Sequence, residues 1–165
     1  DEPFPEQGES PRDYVRRAAE YKANDVLKSL GERMVCVLAA DTIVVLDDVI
    51  FGKPQHDDEA LHMVSALSGR WHHVLTAVVA RGPGQGRMGV KVLETRVKLR
   101  EASRETLERY IQSGEGKDKA GSYAIQGLGA GLVQAIEGSY SNVVGLPTVE
   151  TLELLSEIGV LETWP

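Results

Sequence analysis

The sequence predicts an α/β domain in which helices flank a mixed, twisted sheet and two lobes enclose a cleft. Three observations predict it. The apolar runs "MVCVLAAD", "TIVVLDD" and "WHHVLTAVVAR" are rich in β-branched residues and show little polar alternation, as strands buried on both faces do. Between them lie segments with apolar residues at helical spacing, opened by capping residues and closed by glycine. The chain has 165 residues, 42% of them hydrophobic, with no internal repeat, low-complexity tract or linker, which suits one domain around one core.

Residues 1–9 are acidic and turn-rich. In "SPRDYVRRAAEYKANDVLKSLG", Ser10 is a good N-cap, Pro11 suits the first helical position and Gly31 supplies the stop. Val15, Ala18, Ala19, Lys22 and Val26 fall on one stripe of that helix, where a lysine is unusual. "MVCVLAAD" and "TIVVLDD" read as one buried strand, or as two joined at Asp41. "LDDV" is a hairpin turn, with "VIFGKP" as the returning strand. Asp57 is expected to cap the helix "DEALHMVSALSG", with Ala60, Leu61, Val64 and Leu67 inward and Gly69 at its end. "WHHVLTAVVAR" and "VKVLETRVKLRE" form an antiparallel hairpin around the loop "GPGQGRMG". Ser103 caps "RETLERYIQSG", and short strands are expected around "AIQG" and "GLVQAIEGSY". Pro147 opens a last amphipathic helix that ends at Gly159.

A net charge of −7 argues against a nucleic-acid polymer as partner, since such a partner needs a basic footprint. It leaves room for a small nucleotide, which a few lysines and a metal can hold. Cys36, the single cysteine, lies in an apolar run and reads as a core thiol; no intrachain disulfide is possible, which fits a reducing, cytoplasmic location. No run is long enough to span a membrane and no signal peptide is visible.

Asp41 leaves a buried strand, so its carboxylate is either a paired strand-end group or part of a site. Asp47 and Asp48 read as turn residues. Lys53, between Gly52 and Pro54, is either an exposed hairpin lysine or an ammonium delivered from a fixed loop. "KDKAGSYAIQGLGAG" combines Lys119, Tyr123 and Gln126 with small residues, and a glutamine amide can read the edge of a base. It spells neither a dinucleotide fingerprint nor a Walker loop. His72 and His73 are adjacent on a strand, face opposite ways and cannot easily share a metal; with His56 and His62 they read as structural or surface groups.

Taken together, "GESPRDYVRRAAEYKA", "AADTIVVLDDVIFGKPQHDDEALHMVSALSGRWHHVLTAV", "DKAGSYAIQGLG" and "IEGSYSNVVGLPTVETLELL" closely resemble the Maf family of nucleoside triphosphate pyrophosphatases over nearly the whole chain. The resemblance implies a fold like that of inosine triphosphate pyrophosphatases, a homodimer, and cleavage of a nucleoside triphosphate to monophosphate and pyrophosphate with a divalent cation, Mg2+ or Mn2+. It implies that Asp41 in "ADT" is the catalytic proton acceptor and a metal-associated carboxylate, with Glu2 as a second one. It makes Lys53 in "GKP" and Lys22 in "EYKA" phosphate-site lysines. Thr42 and Gln126 match the branch that acts on dTTP and UTP, whereas the 7-methyl-GTP branch carries glutamine after the aspartate. The family's first strand and its Ser-Pro-Arg phosphate loop have no counterpart in the resemblance, so residues 1–165 are read as one Maf-like domain without that strand. Ser10, Pro11 and Arg12 start a helix instead and are not given the loop's role. The alternative function is a non-catalytic nucleotide-binding regulator linked to septum formation.

Overall fold

In the computed structural model, residues 3–30, 35–83 and 86–162 are described. The first helix, α1 (Pro11–Leu30), leads into the long strand β1 (Val37–Leu46) and the short β2 (Val49–Phe51). Helix α2 (Asp57–Leu67) follows, then the hairpin β3 (Trp71–Arg81) and β4 (Met88–Leu99), and α3 (Arg104–Gln112). Two short 3-10 turns, Ala120–Ser122 and Gly127–Gly131, precede β5 (Val133–Glu137), α4 (Tyr140–Val144) and α5 (Thr148–Glu157). The sheet runs in the order β2-β1-β3-β4-β5. Each of its described pairings is antiparallel, which narrows the expected mixed sheet.

Both faces of the central strands are buried, which is why their sequences do not alternate. On one face Ile43, Val45, Leu75, Ala77 and Val79 pack against Val15, Ala19 and Ala23 of α1. The small residues on α1 let the helix lie close to the sheet. The buried row steps by four, through Val15, Ala19 and Ala23 to the partly buried Leu27, so Val26 falls off it and is 44% exposed, contrary to the expected stripe. On the other face Val44, Leu46, Val74, Val97 and Leu99 meet Val64 and Leu67 of α2, Leu107, Tyr110 and Ile111 of α3, and Tyr123. Leu154 of α5 closes the far end over Val78 and Ala80.

The turn between β1 and β2 places Asp47 and Asp48 at φ 50° and 64°, a left-handed pair that suits a two-residue hairpin and that short polar side chains tolerate. Asp41 is not a strand end: β1 runs unbroken through it, because cross-strand pairing with Ala77 continues on both sides. The cap of α2 is His56, whose Nδ1 accepts from the Glu59 amide at 3.1 Å, and Asp57 is the first helical residue. The expected Gly31 stop lies outside the described residues. "AIQG" is not a strand, since its backbone bends into the second 3-10 turn. Helix α4 went unread in the sequence. It occupies the end of the segment taken as a strand, because Ser139 caps it by accepting from the Asn142 amide. Cys36 precedes β1 and is half-buried rather than a core thiol; burial still pushes its pKa up.

Candidate functional site

β2 pairs only with Val44–Leu46 of β1. Before Val44, the outer edge of β1 has no strand beside it among the described residues, and a pocket opens there. Asp41 and Thr42 are sequence neighbours on this strand, so their side chains leave opposite faces of the sheet. The open edge lets a single cavity of about 170 Å3 reach both. Its walls also include Lys22, Lys53, Asp118, Lys119 and Gln126, together with apolar residues such as Val44, Val74, Val143 and Val144. The cavity is smaller than the roughly 300–1,000 Å3 typical of sites that enclose a drug-sized ligand, so a nucleotide would fill it and extend from its mouth.

On the α1 side, the Asp41 side chain is only 10% exposed and accepts a hydrogen bond from the Lys22 ammonium. Burial of that carboxylate is tolerated because a cation faces it. The oddity of a lysine on the inward stripe of α1 is thereby explained: Lys22 reaches from the helix to the edge of the sheet. Lys53 follows β2, and the carbonyl of the preceding Gly52 accepts from the Gly121 amide at 3.0 Å. That bond ties the lysine's loop to the opposite wall. Lys53 is exposed and makes no ion pair with any described residue.

The opposite wall is the segment 115–131, and the buried Tyr110 and half-buried Glu115 hold its shape. The Tyr110 hydroxyl accepts from the Ala124 amide at 3.0 Å. Glu115 accepts from the Leu128 and Gly129 amides at 2.8 and 2.7 Å. Burial alone would raise the Glu115 pKa, but these amides and the Tyr110 hydroxyl outweigh it and hold the carboxyl below its usual range. The Gln126 side chain, just before this clamp, is exposed to the pocket and bonds no described residue, leaving its amide donor and acceptor for a ligand. Lys119 donates to Asp118 at 2.8 Å, and that bond lowers the Asp118 pKa.

Tyr123 lines the pocket, and its hydroxyl lies 2.7 Å from Nε2 of the fully buried His72. Burial pushes the tyrosine pKa up and pushes the histidine down to about 4, so both are neutral at pH 7. None of the histidines lines the pocket.

Asp41, Lys22, Thr42, Lys53 and Gln126 therefore meet in one place, although 104 positions separate the first and last of them in the chain, Lys22 and Gln126. Glu2, the remaining expected site residue, lies outside the described residues. Sequence reasoning passed over Asp118 and the α4 residues Val143 and Val144. The alternating charges of "GKDK" before a run of small residues were the available signal for Asp118. Nothing local marked α4 as a pocket wall.

Three lysines and two carboxylates converge on this pocket in a chain of net charge −7. Such a site can bind a phosphorylated ligand and can hold a water beside a carboxylate. Among the described residues no three or more His, Cys, Asp or Glu side chains form a group able to hold a metal by themselves. Asp41 and Asp118 still fit a hard cation of the magnesium type, which takes one or two carboxylates and completes its shell with water and phosphate oxygens. They do not fit a closed zinc centre.

Fold and pocket define an α/β domain with a phosphate-compatible site at a sheet edge. The chain belongs to the Maf-like protein family, whose model matches residues 1–158. It is similar to proteins named dTTP/UTP pyrophosphatase. That of Nitratidesulfovibrio vulgaris is 48% identical over 160 residues, covering 97% of this chain and 75% of that protein. That of Shewanella sp. (strain MR-7) is 49% identical over 157 residues, covering 94% and 80%. That of Methylobacillus flagellatus is 48% identical over 149 residues, covering 90% and 73%. No helix among the described residues is long and apolar enough to cross a membrane.

Proposed function

We propose that this protein is a nucleoside triphosphate pyrophosphatase acting on dTTP and UTP, releasing the nucleoside monophosphate and pyrophosphate. The observation that carries the reading is the convergence of Asp41, Lys22, Lys53, Thr42 and Gln126 on one pocket, in a chain so similar to proteins bearing that name.

In this mechanism Asp41 orients a water at the α-phosphorus and accepts its proton as the new P–O bond forms. The bond from the α-phosphorus to the bridging oxygen breaks, and pyrophosphate leaves with that oxygen. Lys22 holds the Asp41 carboxylate in place through their hydrogen bond, and Lys53 meets the phosphate chain at the mouth. Both ammonium groups offset charge as it builds on the phosphate oxygens. Asp41, aided by Asp118 and by Glu2, the family's counterpart carboxylate, would hold a divalent cation, Mg2+ or Mn2+, which would supply further positive charge to the phosphate site. Gln126 and Thr42 meet the base.

Residues 1–165 are taken as a single Maf-like domain that works as a cytoplasmic homodimer, and sedimentation of the purified chain tests the assembly. The function is tested by pyrophosphate release with Mg2+ from dTTP, UTP and 7-methyl-GTP. Release from the first two, with little from the third, is expected. Binding of dTTP without release, unchanged by Asp41→Asn, would replace this reading with a non-catalytic nucleotide-binding regulator.

A further inference from the structure

Thr42 and Thr76 are directly opposed across β1 and β3, and their hydroxyl oxygens are 2.9 Å apart. Either could donate if the pair stood alone. It does not, because the Thr76 hydroxyl also lies 2.9 Å from the backbone carbonyl of Asn142. A carbonyl only accepts, so the single Thr76 proton goes to Asn142. The bond between the threonines must then use the Thr42 proton. The order is one-way: Thr42 donates to Thr76, and Thr76 donates to Asn142.

The end of this relay is immobile. Asn142 is fully buried, and its side-chain amide donates to the Val74 carbonyl at 3.1 Å and to the Thr95 hydroxyl at 2.9 Å. Its carbonyl also accepts from the Gly145 amide at 3.0 Å. The carbonyl cannot turn away, so Thr42 keeps no proton for the pocket it lines. It presents lone pairs only.

A fixed acceptor is unsuited to phosphate oxygens, which are themselves acceptors. The phosphate-compatible groups Lys22 and Asp41 stand on the other face of β1, whereas Thr42 looks out beside Val44, Val74, Val143 and Val144. An apolar wall with one acceptor suits the flat face and donor edge of a base. We propose that Thr76, with the Asn142 carbonyl behind it, is a specificity-determining positioning residue: it takes the Thr42 proton, so that Thr42 selects a pyrimidine carrying an N3–H donor and rejects one with a bare N3 acceptor. Uracil and thymine have that donor, and cytosine places a lone pair against the threonine's lone pairs. The discrimination therefore includes a repulsive element as well as an attractive one. This inference rests on the pyrophosphatase reading for its substrate class.

The experiment compares UTP with CTP, by turnover and by equilibrium binding, in the wild type, Thr76→Val and Thr76→Ser. Valine keeps the shape of threonine, and the Asn142 carbonyl retains its bond from Gly145. In Thr76→Val the Thr42 hydroxyl is free to turn and donate to cytosine. The UTP:CTP ratio is expected to fall about tenfold or more, the scale of one hydrogen bond gained or lost, and Thr76→Ser to restore it. A lost fold without a change in preference would lower both nucleotides equally. An unchanged ratio in a folded Thr76→Val variant overturns the proposal. Should that variant fail to fold, 3-methyl-UTP decides with the wild type alone: rejection supports the proposal, and handling equal to UTP refutes it. A wild type that binds UTP over CTP but releases no pyrophosphate would sink the enzymatic reading and leave this one standing.

Discussion

His72 sits on β3 with no exposed surface, its Nε2 within 2.7 Å of the Tyr123 hydroxyl. Burial, reinforced by the neighbouring His73, lowers its pKa from 6.5 to about 4. In the unfolded chain the imidazole takes a proton near pH 6.5, whereas in the folded protein it does so only near pH 4. Between those values the unfolded state binds more protons, so stability falls as pH falls. The contribution is fully present above about pH 6.5 and lost by about pH 4. A shift of this size amounts to roughly 2 kcal/mol between pH 7 and 5, and about 3 kcal/mol by pH 4. For a domain of ordinary stability, about 5–15 kcal/mol, that is a large share. Urea unfolding of the wild type and of His72→Gln at pH 7, 6 and 5 measures it. Glutamine does not titrate, so the other titrating groups cancel in the difference and only the His72 contribution remains. The variant is expected to start less stable at pH 7 and to lose about 2 kcal/mol less on acidification. If the two profiles stay parallel to within about 0.5 kcal/mol, burial of a neutral imidazole is not what sets this pH dependence.

Asp41→Asn keeps a hydrogen-bonding group beside Lys22 but removes the proposed proton acceptor; pyrophosphate release is expected to drop by about 100-fold or more, with the circular dichroism spectrum unchanged. Near-normal turnover would remove Asp41 from the mechanism. Lys53→Met is expected to lower kcat/KM for dTTP by about 10- to 100-fold, the worth of one charge-assisted bond to phosphate, without shifting the thermal midpoint, since Lys53 is exposed and unpaired among the described residues. An unchanged kcat/KM would place the phosphate chain elsewhere. A β-carbon on Gly129 would collide with the Ala124 carbonyl and come within 2.9 Å of the Tyr110 hydroxyl, so Gly129→Ala is expected to cost about 1–3 kcal/mol and to disturb the Gln126 wall. Thermal unfolding identical to wild type would show that this wall is not tightly packed.

Much of the fold was legible because local chemistry decides it. The β-branched runs of β1 and β3, the Asp-Asp turn, the Ser103 cap and the glycine stops each act within a few residues. The errors were also local in origin. His56 displaced Asp57 as a cap because an imidazole nitrogen can accept as well as a carboxylate. "AIQG" looks extended, but Glu115, 11 positions upstream of Gln126, gathers the Leu128 and Gly129 amides into a turn. The site followed the same division. Asp41, Lys53 and Gln126 carried signals in their own motifs, and Lys22 stood out on its stripe.

By itself the sequence determined most of the strands and helices, the acidic balance and the residues that match the Maf pattern, since periodicity, turn chemistry and motif identity are properties of neighbours in the chain. Only the tertiary structure decided that the pairing of β2 with β1 ends at Val44 and leaves the edge of β1 open, so that Asp41 and Thr42, aimed at opposite faces, share one pocket. It also decided which way the Thr42 proton points, because that depends on Thr76 and Asn142, which lie 34 and 100 residues further along. Hydrogen-bond direction is a property of the whole network, and no local pattern encodes it.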